Sequence, residues 1–177
     1  MATSTPKVLS NGSGKGKFHF FWQSHSVFSQ WYPARFSVDN IYYSSAEQYM
    51  MHQKAVLFKD SESADKIMKT KDPKTQKDLG RKVKNFDGKL WNENCVDIVK
   101  RGNLAKFSQH EELKEIMFST YPKILVEASP HDQIWGIGLQ EDNPLAWDQN
   151  TWCGKNLLGF ALTEVRDQLM KENVSEK

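Results

Sequence analysis

The sequence predicts a compact single domain of the α+β class, predominantly helical, with a small β-sheet. The chain has 177 residues, 38% of them hydrophobic and 12% aromatic, which is enough to bury one core. Apolar residues recur at helical spacing through the middle of the chain and again near its end. Short strand-like runs flank the helical segments and read "KFHFFW" (17–22), "FSVDNIYY" (36–43) and "KILVEA" (123–128).

The domain boundaries follow from composition. Residues 1–17 are rich in Ser, Gly, Lys and Thr, which is typical of a flexible tail. We expect one folded domain over 18–170 and a frayed C-terminus over 171–177.

The charge balance, the cysteines and the lengths of the apolar runs exclude several classes of protein. The net charge is +2, with 24 basic and 22 acidic residues, so no duplex-binding surface is indicated. Its two cysteines lie far apart and neither has the spacing of a metal ligand, so no metal or cofactor is expected. No apolar run has membrane-spanning length and no secretory signal begins the chain. We expect a cytoplasmic protein, with an organelle address as the open alternative.

The strand and helix signals can be placed in order. The run 36–43 alternates around Asp39-Asn40, a pair typical of a hairpin turn. Helices are predicted over 44–58, 61–70, a segment that begins at Asp72-Pro73, 91–107, a segment up to about residue 120, and 156–170.

The helix predicted over 44–58 carries charged residues among its apolar ones. At 100° per residue, Glu47 and Lys54 fall inside a wide apolar arc, whereas Gln48, His52 and Lys59 form the opposite, wet face. An unpaired buried charge costs several kcal/mol, so two such groups indicate partners or a cavity. A cavity would shift their pKa values toward useful chemistry.

A purely structural interpretation of the same helix stays open. Ser44 and Glu47 have the spacing of a capping box, in which Glu47 would bind only the backbone. Lys54 would then extend its ammonium to water.

A second candidate segment follows the strand at 123–128. The sequence "SPHDQIWGIG" (129–138) combines Asp132, Trp135 and two glycines, and binding loops often leave strand ends in this way. Asp132 would point a carboxylate into a cleft, Trp135 would stack on a flat ring, and Gly136 would let backbone N–H groups approach a phosphate. The structural alternative is a turn with a core tryptophan.

The start of the last helix is a third candidate. The segment "CGKNLLG" (153–159) places Lys155 and Asn156 at a helix N-terminus, where N–H groups can hold an anion. It lacks the glycine spacing and the Ser or Thr of a Walker loop.

Together these segments resemble the YbiA-like, or NADAR, family. The matching motifs are "FSQWYPARF", "SSAEQYMMHQKA", "LGR", "LAKFSQHEELKEIMFST", "LVEASPHDQIWGIG" and "GKNLLGFALTEVR". They occur in the family's order and extend from about residue 18 to 166. The resemblance implies a helix-rich α+β fold and cleavage of a C–N glycosidic bond between a ribose and a base or amine.

The resemblance also implies roles for individual residues. The family's functional glutamate and lysine fall on Glu47 and Lys54, and with Asp132 these form the predicted catalytic set. The predicted substrate-binding residues are Gln30, Trp31, Tyr49, Trp135, Gly136, Lys155 and Asn156. Relatives usually have Ser-Asn-Phe where this chain has Ser29-Gln30-Trp31, and we expect this departure to affect the shape of the sugar or base pocket more than the reaction class. We expect Glu47 and Asp132 to line one pocket that touches Trp135.

The resemblance leaves the substrate and the mechanism as alternatives. The substrate is a phosphoribosylamino-pyrimidine of the riboflavin pathway, or ADP-ribose on a guanine base, so nucleic acid enters only as an ADP-ribosylated substrate. Lys54 attacks C1 to form a Schiff base, or water attacks directly. The rival interpretations are a binding module for ADP-ribose or nucleotides without turnover and a purely structural interaction domain. The oligomeric state is open.

Overall fold

A computed structural model describes residues 14–175, and the fold is the predicted helix-rich α+β class. Contacts within the chain divide it into two compact units. The terminal unit comprises the N-terminal part to Phe28 and the C-terminal part from Glu112, and the inserted unit is Ser29–Glu111. The domain boundary predicted at 18–170 stays a prediction.

The helices and strands run in the following order. The part of the chain that the structure describes contains four strands: β1 (Phe18–Phe21), β2 (Phe36–Val38), β3 (Ile41–Tyr43) and β4 (Ile124–Glu127). The α-helices are α1 (Gly14–Lys17), α2 (Ala46–Leu57), α3 (Ser61–Met68), α4 (Pro73–Arg81), α5 (Gly88–Ser108), α6 (Glu111–Ser119) and α7 (Leu157–Ser175). Short 3-10 turns lie at Pro144–Trp147 and Gln149–Thr151.

The terminal unit is built on a parallel pair of strands. Strand β1 pairs with β4, with Phe18 opposite Ile124 and Phe21 opposite Glu127. The other edge of β4 is covered by α7, whose Thr163 hydroxyl accepts a hydrogen bond from the Leu125 N–H at 2.9 Å. A buried apolar cluster lies beside the strands and contains Phe18, Val126, Ala128, Ile137, Leu139 and Ala146.

The inserted unit packs four helices with a hairpin. Strands β2 and β3 are antiparallel, and the turn residues Asp39 and Asn40 have φ values of 51° and 67°, as the prediction of a hairpin turn requires. Helix α2 packs against α3, α4 and α5. At the crossing of α2 and α5, a Cβ on Gly102 would lie 2.6 Å from the ring of Tyr49, so only glycine permits this approach.

Among residues 14–175, the predicted β-structure is present as two separate two-stranded sheets. Helix α7 continues to Ser175, and the predicted frayed end at 171–177 stays a prediction. Within the predicted tail at 1–17, Gly14–Lys17 are helical, and residues 1–13 lie outside the described part of the chain. Between residues 14 and 175, no helix has both the length and the apolar character needed to cross a bilayer.

Candidate functional site

The start of α2 assigns the capping role to residues other than Glu47. Ser45 is the N-cap, and its hydroxyl accepts a hydrogen bond from the Gln48 N–H at 3.2 Å. The Gln48 side-chain oxygen accepts from the Ser44 N–H at 2.7 Å. The predicted capping box of Ser44 and Glu47 is therefore wrong, because Ser45 is the N-cap and the Gln48 side chain binds the main chain of the preceding residue, Ser44.

Glu47 is buried at the second helical position of α2. Its side chain is 6% exposed, and its backbone N–H donates to the Gln30 carbonyl at 2.9 Å. The positive end of the helix dipole stabilises a carboxylate in this first turn. A buried carboxylate is thus placed where the helix supports its charge and where neighbouring side chains perform the capping.

The predicted wet face of α2 is wrong at Gln48. This side chain is 3% exposed, and its Nε2 donates to the carbonyls of Ile67 and Thr70, each at 3.1 Å. Val56 of the same helix, although apolar, is 51% exposed. Because α3 and α4 pack on the face that a helical wheel assigns to water, tertiary contacts determine which side is buried.

Lys54 lies half-buried in the last turn of α2. Its Nζ is 4.9 Å from the ring centroid of Phe86 and 5.4 Å from that of Trp91, contacts that favour the ammonium form. Burial lowers its pKa, the charge of Glu47 raises it, and the charge of Arg81 lowers it further. The lowered pKa increases the fraction of neutral amine, the form that can act as a nucleophile.

The segment Ser29–Trp31 leads into this region of the inserted unit. Gln30 and Trp31 are both half-buried, and the Trp31 N–H donates to the Ser29 hydroxyl at 3.1 Å. The Gln30 side-chain oxygen accepts from Asn103 Nδ2 at 2.8 Å, and its Nε2 lies 3.8 Å from Met50 Sδ. Gln30 therefore contacts Glu47 through its main chain and α5 through its side chain.

Helix α5 contributes two buried polar residues that sequence reasoning missed. Asn103 and Lys106 are both 0% exposed, and Lys106 Nζ donates to the Ser29 carbonyl at 3.1 Å. Burial lowers the pKa of Lys106 to about 7. The signal was available, because Asn103 and Lys106 continue the spacing of the apolar face that includes Val99 and Gly102.

Tyr49 lies in the core of the inserted unit. It is 1% exposed, with its ring centroid 5.0 Å from that of Tyr43 and 6.1 Å from that of Phe36. Burial raises the pKa of its hydroxyl. Its observed role is packing, and the substrate-binding role stays a prediction.

Asp132 organises the loop that follows β4 in the terminal unit. Its Oδ1 accepts hydrogen bonds from the N–H groups of Ile134, at 2.9 Å, and Trp135, at 2.8 Å. Asp132 and Trp135 are both half-buried. Gly136 is required by close packing, because a Cβ there would lie 2.9 Å from the Glu127 carbonyl oxygen.

The predicted anion site at the start of α7 is wrong for its backbone donors. The N–H groups of residues 155–158 donate to the carbonyls of Gln133, Gly136, Ile134 and Trp135, at 3.0–3.2 Å. These donors are therefore engaged by the loop and do not point at a ligand. The Lys155 side chain is exposed, and its predicted role in binding stays a prediction.

Asn156, just before α7, binds strand β4 through hydrogen bonds of its side chain. It is 0% exposed and has a φ of 52°. Its Oδ1 accepts from the Glu127 N–H at 2.9 Å, and its Nδ2 donates to the Leu125 carbonyl at 3.1 Å. Both ends of the side-chain amide are bound to β4, so its observed role is structural, and substrate binding by Asn156 stays a prediction.

The predicted residues divide equally between the units. The inserted unit holds Gln30, Trp31, Glu47, Tyr49 and Lys54, and the terminal unit holds Asp132, Trp135, Gly136, Lys155 and Asn156. The shared pocket of Glu47 and Asp132 stays a prediction. Across residues 14–175, no group of three or more His, Cys, Asp or Glu side chains is arranged to hold a metal ion.

Comparisons with known proteins agree with the resemblance found in the sequence. The family described as NADAR domain matches residues 20–170. N-glycosidase R617 of Acanthamoeba polyphaga mimivirus is 44% identical over 147 residues, covering 80% of this chain and 86% of that protein. Protein irg-1 of Caenorhabditis elegans is 38% identical over 168 residues, covering 86% and 79% respectively. The NMR structure of the E. coli protein YbiA matches with a TM-score of 0.74 at 27% identity, covering 89% of this chain and 88% of that one.

Proposed function

Because the chain belongs to the NADAR family, we propose that it cleaves the bond between C1 of a ribose phosphate, or of ADP-ribose, and an amine or base. In its broad class the protein is an enzyme, a hydrolase acting on N-glycosyl bonds, which agrees with its similarity to proteins named N-glycosidase. The substrate and the roles of single residues are the parts that we propose.

The observation that carries the proposal is the placement of Glu47. The residue is 6% exposed, and Ser45 and Gln48 perform the capping at the start of this helix. Cleavage of a glycosidic bond passes through an oxocarbenium-like state with positive charge on C1 and the ring oxygen. A carboxylate held in a poorly solvated position stabilises such a charge far better than one in water.

Lys54 supplies the nucleophile in the mechanism that we favour. Its neutral amine bonds to C1 as the C1–N bond to the base breaks, and the proton that the attached amine loses passes to the leaving base. The sugar ring then opens to give an imine on Lys54, and water hydrolyses the imine, which frees the lysine and the sugar. The lowered pKa of Lys54 supports this route. In the alternative, water attacks C1 with a carboxylate as the base, and Lys54 holds a phosphate or a sugar hydroxyl.

The favoured substrate is a small phosphoribosylamino-pyrimidine of the kind that occurs in riboflavin biosynthesis. A net charge of +2 supports a small substrate over a nucleic acid, because strong binding to phosphate backbones depends on many basic contacts. ADP-ribosylated guanine is the second candidate, and it requires the same bond cleavage at C1. Non-catalytic binding of ADP-ribose is the third, and the presence of both Glu47 and Lys54 argues against it.

Release of the base tests these proposals directly. The protein is incubated with a phosphoribosylamino-pyrimidine and, separately, with an ADP-ribosylated guanine oligonucleotide, and the free base is measured by mass spectrometry. Release in the first reaction but not in the second supports the favoured substrate. Binding of ADP-ribose by calorimetry without release from either compound would instead support the binding module.

A further inference from the structure

Asn103 on α5 makes its side-chain contacts in only one possible orientation. Its Nδ2 donates to the Val99 carbonyl at 2.9 Å and to Gln30 Oε1 at 2.8 Å. Its Oδ1 is buried with no hydrogen-bond partner among the residues described. The Val99 carbonyl is a backbone acceptor that cannot become a donor, so the amide nitrogen of Asn103 must face it.

This orientation determines that of Gln30 in turn. With both hydrogens of Asn103 Nδ2 pointing to acceptors, Gln30 must turn its oxygen toward α5, because its own NH2 group would otherwise face another NH2 group. The Nε2 of Gln30 is then directed away from Asn103, and it lies 3.8 Å from the weak acceptor Met50 Sδ. Since Gln30 is half-buried, these N–H donors remain available to a ligand.

We propose that Asn103 is a positioning residue that fixes the Gln30 amide with its oxygen inward, so that Gln30 offers N–H donors to an acceptor oxygen of the substrate. The inference rests on the proposed function, in which Gln30 binds substrate, and it names the chemical group recognised. A ribose hydroxyl, a phosphate oxygen and a carbonyl of the base all present such an acceptor. A substrate whose only nearby group is a donor would be rejected at this position.

Lys106 of α5 also holds the segment Ser29–Gln30 in place. Its Nζ donates to the Ser29 carbonyl, one residue before Gln30, and the Gln30 carbonyl accepts from the Glu47 N–H. Three hydrogen bonds therefore hold Ser29 and Gln30 between α5 and the first turn of α2. This anchoring explains why the direction of a single side-chain amide can matter at the site.

The orientation itself is measured by NMR on the wild-type protein, without reference to activity. In a 15N-labelled sample, the Gln30 side-chain NH2 hydrogens should show an NOE to the Met50 methyl group. A strong NOE between the NH2 groups of Gln30 and Asn103 would show the opposite orientation and overturn the proposal. This result stands even if neither proposed substrate is cleaved.

Two substitutions, Gln30→Glu and Gln30→Met, test whether the side-chain N–H donors of Gln30 bind the substrate. Both variants remove the N–H donors at a half-buried position, and Gln30→Glu keeps an acceptor for Asn103. We expect KM for the cleaved substrate, or Kd for ADP-ribose if no turnover is found, to rise on the order of tenfold or more in each variant. The kcat should change far less. Unchanged KM and Kd in both variants would overturn the proposal.

The role of Asn103 is tested by Asn103→Asp, which reverses the required orientation because a carboxylate can only accept. Gln30 should then turn its NH2 group toward residue 103, and KM or Kd should rise as in Gln30→Met. The matched control is Asn94→Asp on the same helix, where Nδ2 donates to the Leu90 carbonyl at 2.8 Å. If Asn103→Asp had a lower melting temperature but unchanged KM and Kd, the role of Asn103 would be structural only, and the proposal would be overturned. If this variant does not fold, the NOE and the two Gln30 variants decide.

Discussion

Asp132 in the loop after β4 and Glu47 at the start of α2 are both carboxylates that the sequence predicts to be catalytic, but they are held in different ways. Asp132 accepts hydrogen bonds from two N–H groups of its own loop. Capping at the start of α2 is performed by Ser45 and Gln48 instead of Glu47. The same chemical group therefore organises the main chain in the loop, whereas at the start of α2 neighbouring side chains take the capping role.

The amides follow the same division. Asn156 binds the backbone of β4 through both ends of its side chain, whereas Asn103 binds one carbonyl and one side chain. Asn156 therefore maintains the fold, whereas Asn103 also orients a neighbouring side chain, that of Gln30. Substitution of Asn156 should change stability first, and substitution of Asn103 should change substrate binding as well as stability.

The largest expected effect tests the covalent role of Lys54. Substrate plus borohydride should leave a sugar-sized mass on the peptide containing Lys54, because borohydride reduces the imine to a stable amine. Lys54→Arg should abolish this adduct, since the guanidinium keeps its charge but is no nucleophile near neutral pH. Peptide mass spectrometry provides the measurement, with the exposed Lys77→Arg as the control. Absence of any adduct in the wild type, together with substantial activity in Lys54→Arg, would favour direct attack by water.

The second effect concerns the charge of Glu47. Glu47→Gln is nearly isosteric, so the fold should survive while turnover falls on the order of 10²–10³-fold, the usual consequence of losing one well-placed electrostatic group. Thermal melting and rate assays on one preparation separate the two effects. The exposed Glu62→Gln is the matched control. If Glu47→Gln lowered the melting temperature but left the rate intact, the residue would be structural, like Asp132.

The third prediction applies to the loop. Asn156→Asp keeps an acceptor for the Glu127 N–H but loses the donor to the Leu125 carbonyl and buries a charge. We expect a loss of about 1–3 kcal/mol in the free energy of unfolding, measured by denaturant titration against the exposed Asn150→Asp. A variant of unchanged stability with raised KM would instead support the predicted role of Asn156 in binding substrate.

The difference between the two regions also explains what the sequence could and could not reveal. Local signals were sufficient for the Asp39-Asn40 turn, because its backbone requires residues that tolerate positive φ. They were sufficient for the cap at Asp72-Pro73, whose carboxylate accepts from the Thr75 N–H. Gln48 was misassigned to a wet face because its partners, the carbonyls of Ile67 and Thr70, come from later helices and leave no local pattern.

The same limit applies to the candidate site. Glu47 and Lys54 were found from a violation of periodicity within one helix, which a single sequence displays directly. Asn103 and Lys106 were missed although they continue the apolar face of α5, because their partners in Ser29–Gln30 lie more than seventy residues away. The engaged donors at the start of α7 were also missed, since their acceptors belong to a loop some twenty residues earlier.

The smallest expected effect concerns Lys106. It tests whether protonation of this buried amine lowers the free energy of unfolding. Burial lowers its pKa to about 7, whereas an unfolded chain holds the proton to about pH 10.4. Between these values the unfolded state binds more protons, so the free energy of unfolding should rise with pH. From pH 7 to 8 the gain is about 1 kcal/mol, and well below pH 7 the dependence vanishes because both states are protonated.

Lys106→Met should remove this rise, because methionine fills similar volume without a titrating group. Chemical denaturation at pH 6, 7 and 8 measures the difference in unfolding free energy between the wild type and Lys106→Met, with the exposed Lys77→Met as the control. The difference should grow in favour of the wild type above pH 7 for Lys106→Met and stay constant for Lys77→Met. A constant difference for both would mean that Lys106 keeps its proton when buried. The hydrogen bond from its ammonium to the Ser29 carbonyl would then outweigh desolvation, and Lys106 would serve the fold in the way that Asn156 does in the terminal unit.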